Sequence, residues 1–212
     1  MATGKRFSGS SPEVGAHDPE TLLHDPETRA RQICLRLLTA EPRTRAQLAQ
    51  ALHRGGVPAE AAESVLSRFA DAGLINDAAF ARAWVESRHH SRGLSRRSLS
   101  AELKRRGVDG EEIREAVDAL DPEQEVATAR RLVEQKMAST RGQPPQARAR
   151  RVASLLARKG YPPGLTFRLI REAMQQEGPV DVDLDLDAEP CIAPEEDTLE
   201  GIPEDPGSGY SM

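Results

Sequence analysis

Aromatic side chains are scarce: they make up 3% of the 212 residues, with one tryptophan, two tyrosines and four phenylalanines. A core with so few large rings is aliphatic and lean, which suits several small cores in series better than one large one. Long apolar runs are missing too. None approaches the roughly 18 consecutive residues that a membrane-spanning helix needs, and no apolar stretch follows Lys5-Arg6 to make a secretory signal. Cysteine is nearly absent, with Cys34 inside an apolar helical pattern and Cys191 in a polar tail. Two such thiols exclude a disulfide framework and fit a reducing cytosol. There is no P-loop, no dinucleotide glycine fingerprint, no HExxH and no CxxC. No catalytic residue, cofactor or metal site is therefore expected. The neighbours His89 and His90 point in different directions on a helix, so they are expected at the surface and not as a metal pair. Asp77, Glu86 and Glu102 are scattered, with no partner to perturb their titration.

Positive charge is absent from one region and concentrated in another. Residues 178–212 hold 11 acids and no Lys or Arg. Residues 27–177 hold 27 Lys or Arg against 19 Asp or Glu. The formal net charge of -5 thus hides a basic body joined to an acidic tail. That asymmetry points to a polyanion or nucleoprotein partner, the plainer alternative being a solvated helical surface.

Residues 1–24 are rich in Gly, Ser, Pro, His and Asp and are expected to be disordered, as are residues 178–212 with their DVDLDLD run. Everything between has helical periodicity, as in Ile33/Leu37/Leu38, Phe80/Trp84/Val85 and Leu165/Leu169/Ile170. No β-rich run competes. Helix starts are marked by Asp25-Pro26, Asn76-Asp77 and Asp121-Pro122.

An internal repeat organises these helices. A shift of 51 places Leu48 on Leu99, Leu52 on Leu103, Gly56 on Gly107 and Val57 on Val108. A further shift of 53 places Leu99 on Val152, Leu103 on Leu156, Gly107 on Gly160 and Val108 on Tyr161. Each glycine stands where one helix must stop, and a helix-starting Pro58, Asp109 or Pro162 follows. Thr44 with Gln47, and Asp109 with Glu112, have capping-pair spacing. One further helix precedes each pair. The expected fold is all-α: three tandem three-helix repeats at 25–75, 76–120 and 121–177, forming an elongated curved body between tails at 1–24 and 178–212.

Basic residues cluster in the second and third repeats. Arg82, Arg88, Arg92, Arg96, Arg97, Lys104, Arg105 and Arg106 crowd the second. Arg130, Arg131, Arg150, Arg151, Arg158 and Lys159 lie in the third. The run Arg92-Gly93-Leu94-Ser95-Arg96-Arg97 joins two helices and is able to bring backbone amides and guanidinium groups to phosphates or carboxylates. The plainer alternative is a solvated face laced by pairs with Glu102 and Glu134. Aromatics are too few for a base-stacking platform, and Phe80 with Trp84 reads as core.

The stretch Gly73-Leu74-Ile75-Asn76-Asp77-Ala78-Ala79-Phe80-Ala81, followed by Val85, Arg88, Gly93 and Leu94, resembles a hallmark of the RecX family. So do Glu102-Leu103-Lys104-Arg105-Arg106-Gly107-Val108 and Arg158-Lys159-Gly160-Tyr161. The resemblance covers about residues 28–175, roughly 70% of the chain. It implies a helical array that binds in the groove of the RecA filament on single-stranded DNA and bridges neighbouring protomers. It further implies inhibition of ATP hydrolysis, strand exchange and the co-protease activity behind the SOS response. Expected partners are the RecA recombinase filament and single-stranded DNA, for a cytoplasmic monomer that engages no membrane. The fourteen basic residues named above are the candidate contacts. The alternatives are a helix-turn-helix DNA-binding regulator, for which no unit stands out as a recognition helix, and a plain helical scaffold. The two tails lie outside the family's core.

Overall fold

The computed structural model describes residues 25–177. Among them are nine helices and no strand: α1 (Pro26–Ala40), α2 (Arg45–Arg54), α3 (Ala59–Asp71), α4 (Asp77–Arg92), α5 (Arg96–Arg105), α6 (Gly110–Asp118), α7 (Pro122–Ser139), α8 (Pro145–Arg158) and α9 (Pro163–Glu177). None of these is long and apolar enough to cross a membrane. The 1–24 and 178–212 segments, with the acidic DVDLDLD run, fall outside the described residues.

Helix starts follow the local chemistry. Asp25 and Asp121 cap helices whose first residue is proline, a residue with no N–H to leave unsatisfied. Asn76 Oδ1 accepts from the Ala79 N–H at the start of α4. Thr44 and Gln47 form a complete capping box. Asp109 keeps half of the expected pairing: burial pushes the Glu112 carboxyl up and a hydrogen bond to the Asp109 backbone holds it down, while the Asp109 side chain accepts from the Glu111 N–H, one residue earlier than Glu112. The three corner glycines, Gly56, Gly107 and Gly160, have φ of 68°, 76° and 82°. Only glycine adopts that left-handed conformation without cost.

The helices pack in threes. Cys34, Leu48, Leu52, Val65, Leu66 and Phe69 form the first core. Val85, Leu99, Leu103, Ile113 and Val117 form the second. Val133, Val152, Leu156, Tyr161, Leu169 and Ile170 form the third. The residues superposed by the repeat are therefore those buried: Leu48, Leu52, Leu99, Leu103, Val152 and Leu156 are all fully enclosed. Phe80 and Trp84 sit at the edge of the second core and stay half-buried.

Consecutive units meet at joints built to one plan. The first amides of an α-helix have no partner of their own. At α2 the Arg45 N–H donates to Asp77 Oδ1 of the next unit at 2.9 Å, and the Thr44 hydroxyl donates to the Arg106 carbonyl at 2.7 Å. At α5 the Arg96 N–H donates to Glu125 Oε1 at 2.9 Å, and the Ser95 N–H donates to the Lys159 carbonyl at 3.0 Å. In both cases a carboxylate faces a helix N-terminus, where the helix dipole favours it. In both, the corner carbonyl before the glycine is the acceptor. A Cβ on Gly107 would lie 2.3 Å from the Ala46 Cβ, and one on Gly160 would lie 2.2 Å from the Ser98 Oγ. The glycines thus admit the neighbouring unit as well as turning the chain.

The two ends of the array differ from its middle. Among the described residues, none beyond its chain neighbours comes within 4 Å of where a Gly56 Cβ would be. At the other end, α8 is preceded by Pro144 and begins with Pro145, and no side chain caps it.

Candidate polyanion interface on the second and third units

The second joint holds several side chains expected at the surface. His89 is buried, 5% exposed, and its ring bridges two units. Nδ1 lies 2.9 Å from the Leu94 carbonyl and Nε2 lies 3.0 Å from the Thr128 hydroxyl of α7. The expectation of a surface histidine fails because the α7 helix, from the next unit, closes over this end of α4. His90 stays exposed. Asp77 likewise departs from expectation. Burial in the first joint pushes its carboxyl up, and the Arg45 N–H only partly offsets this.

The Arg92–Arg97 run is largely joint. Gly93 and Ser95 are buried, and Tyr161 donates its hydroxyl to the Gly93 carbonyl at 3.1 Å. The Ser95 and Arg96 amides are occupied by Lys159 and Glu125. The Arg96 guanidinium reaches the Leu120 carbonyl and faces Glu125. The Lys159 ammonium donates to the Arg92 carbonyl. Arg130 pairs with Glu172 at 3.1 Å across α7 and α9.

The remaining candidates are presented outward. Arg92, Arg97, Lys104, Arg105, Arg150, Arg151 and Arg158 are exposed. Arg82 and Arg131 are exposed too and line a cleft of about 740 Å³ between α4 and α7, together with Glu86 and His90.

Arg88 and Arg106 form a distinct arrangement at the first joint. Phe80, Trp84 and Arg88 lie four residues apart along α4, so they share one face. Phe80 stacks on Trp84 with ring centres 5.6 Å apart and planes 16° from parallel. The Arg88 and Arg106 Cζ atoms lie 4.2 and 3.7 Å from the Trp84 ring centre. The indole N–H donates to Glu102 Oε2 at 2.8 Å. That bond takes the carboxylate expected to lace the basic face. Burial lowers the proton affinity of Arg106, and the nearby Arg88 charge lowers it further, while Glu102 and Glu41 oppose both. Arg43, which sequence reasoning did not single out, stands nearby and pairs with Glu41 at 2.7 Å. The four-residue ladder was the available signal for Trp84; nothing local announces Arg106 beside it.

Residues 30–69, 76–117 and 123–170 match, in turn, the first, second and third three-helix domains of RecX. The chain belongs to the RecX family. It is similar to the Regulatory protein RecX of Thermobifida fusca, 57% identical over 155 residues, which span 73% of this chain and 83% of that one. It is also similar to the Regulatory protein RecX of Streptomyces coelicolor, 58% identical over 150 residues, covering 71% of this chain and 80% of that one. Two solved family structures share the fold. RecX from Lactobacillus salivarius superposes with a TM-score of 0.65 at 17% identity, covering 72% of this chain and 99% of that one. A second crystal structure of regulatory protein RecX gives 0.64 at 22% identity, covering 72% and 76%. Each of the three matched ranges holds most of one of the three cores.

Proposed function

We propose that this chain is a cytoplasmic, monomeric regulator that binds the RecA filament on single-stranded DNA and inhibits its ATP hydrolysis, strand exchange and co-protease activity. Recombination, DNA repair and the SOS response would be modulated through that filament. The action is by binding, without a catalytic step of its own. The observation that carries this reading is the pairing of family membership with a set of exposed cations on the second and third units. A basic array draws polyanions over a distance set by ionic strength. Three small cores in series also extend the contact surface beyond what one core of this size presents.

The contacts would be the exposed members of the set, with Arg97, Lys104, Arg105, Arg150 and Arg151 foremost. The test is RecA-catalysed ATP hydrolysis on single-stranded DNA, titrated with this protein below one copy per recombinase. Inhibition is expected at substoichiometric ratios, weakening as salt rises. Full hydrolysis at every ratio would sink the reading. Replacing Arg97, Lys104 and Arg105 by Ala is expected to flatten the salt dependence, and an unchanged curve would move the interface elsewhere.

A further inference from the structure

We propose that Arg88 and Arg106, held on the Trp84 ring, form a clamp for a phosphate of a single-stranded nucleic-acid backbone. This rests on the polyanion reading above and assigns it a specific site.

The two guanidinium groups are half-buried and close enough to repel each other. Among the described residues neither guanidinium has an ion pair or hydrogen bond. The two nearby carboxylates act on Arg106 only through their charge, their contacts being with the indole N–H for Glu102 and with Arg43 for Glu41. Both guanidinium groups thus lie against one ring, and their N–H donors, five on each arginine, have no hydrogen-bonded acceptor among the described residues. A guanidinium that lies against an aromatic ring spends its face on the ring and keeps its edge free for a bidentate acceptor. Stacking fixes that edge in advance, so little rotamer entropy remains to be lost when an anion arrives.

The indole itself is not on offer to a nucleobase. Phe80 and the two arginines occupy its ring, and Glu102 occupies its N–H. The ligand is thus read by charge, not by base. A phosphodiester strand carries a charge at every backbone unit, which suits a site whose cations continue along the chain better than the isolated acidic motifs that arginine clusters also bind. The exposed large hydrophobics among the described residues are Leu35 and Leu74, both in the first unit. Cations also continue past the clamp: Arg92 lies one turn along α4, and Lys104 and Arg105 precede Arg106. Together they make a track for successive phosphates.

Trp84 is the chain's one tryptophan, so its emission reports this site alone. The full chain is titrated with oligothymidylate, with an abasic deoxyribose-phosphate strand of equal length and with polyglutamate, while labelled-strand anisotropy follows binding. A saturable change in Trp84 emission is expected with both strands at similar concentrations. Arg88→Gln with Arg106→Gln is expected to weaken strand binding on the order of tenfold and to lower its salt slope. Arg88→Lys with Arg106→Lys, which keeps the charge but not the fork, is expected to fall between. Binding by anisotropy with unchanged emission would overturn the clamp, as would a response to thymidylate but not to the abasic strand. An equal or stronger response to polyglutamate would assign the site to an acidic peptide instead. Absence of strand binding would also overturn it. No recombinase is present in this experiment, so the clamp can fail while inhibition of ATP hydrolysis stands, and the reverse.

Discussion

At the scale of single residues, the chemistry lies in what each polar group faces. Tyr161 is the clearest case. It is buried in the third core and donates to the Gly93 carbonyl of the second unit. Burial pushes its hydroxyl well above the ordinary tyrosine range, the Glu125 charge adds to this, and Arg131 opposes both. A pKa raised on folding means stability that is complete below the unfolded value, near 10, and is lost as pH rises beyond it. Denaturant midpoints should therefore fall above about pH 10 in the wild type. Tyr161→Phe should show a smaller fall and a lower midpoint at neutral pH, by about 0.5–1.5 kcal/mol for the lost hydrogen bond. Equal alkaline slopes for the two proteins would remove the assignment. At the acid side, the Arg148 hydrogen bond holds the Glu177 carboxyl low, with burial opposing it. That contribution is present above the ordinary glutamate pKa and is lost as pH falls through the depressed folded value. Glu177→Gln should blunt the acid-side loss in urea titrations between neutral pH and about pH 3.

At the scale of elements, much was legible because it is local. Asp25-Pro26, Thr44 with Gln47 and Asn76 announce helix starts through contacts within four residues, and the structure keeps all of them. The corner glycines and the leucines they align were readable from spacing alone. The joints were not. Half of their acceptors are the backbone carbonyls of Arg106 and Lys159, which any residue supplies and no pattern marks. The other half are carboxylates, Asp77 and Glu125, whose donors lie in the preceding unit. Arg96 looked like its neighbour Arg97, yet one reaches the Leu120 carbonyl and the other faces solvent. His89 and His90 divide in the same way. Sequence gives a cation its type, and only the neighbouring unit decides its employment.

The same joints predict an order among three equivalent substitutions. Gly56→Ala meets open space and should cost only the left-handed backbone penalty, about 1–2 kcal/mol. Gly160→Ala meets serine oxygens, and the nearest of them can rotate away. Gly107→Ala meets the Ala46 Cβ, which cannot. Urea unfolding should rank the losses Gly107 above Gly160 above Gly56. A Gly56 variant as damaged as Gly107 would mean that the joint contributes nothing beyond the backbone term.

At the scale of the whole molecule, charge separates what the fold joins. The described body is basic, and the 178–212 segment carries 11 acids and no Lys or Arg. We propose that this segment competes with polyanions for the basic units. Removing 178–212 should tighten strand binding most at low salt, where charges interact furthest. Equal anisotropy curves for both chains at low salt would sink this and leave the segment a solubilising role.

The joint also has a grammar, and it reads in one direction. The N-terminus of a unit's second helix offers an amide to a carboxylate of the following unit, and a hydroxyl or amide to that unit's corner carbonyl. The middle unit does both, through Ser95-Arg96 on one side and Arg106 on the other. The last unit lacks the donor for a joint of this plan, because proline at the start of α8 has no amide N–H to give. The first unit has its Gly56 corner clear, so nothing in its own geometry forbids a predecessor. Growth by duplication is thus open inside and in front, and shut behind. A chain carrying residues 76–120 twice in tandem should fold as one cooperative, longer body, whereas a copy of the same unit appended after Glu177 should hang undocked and melt separately. Two prolines at the start of α8 thus withhold the donor that a further joint of this plan would use.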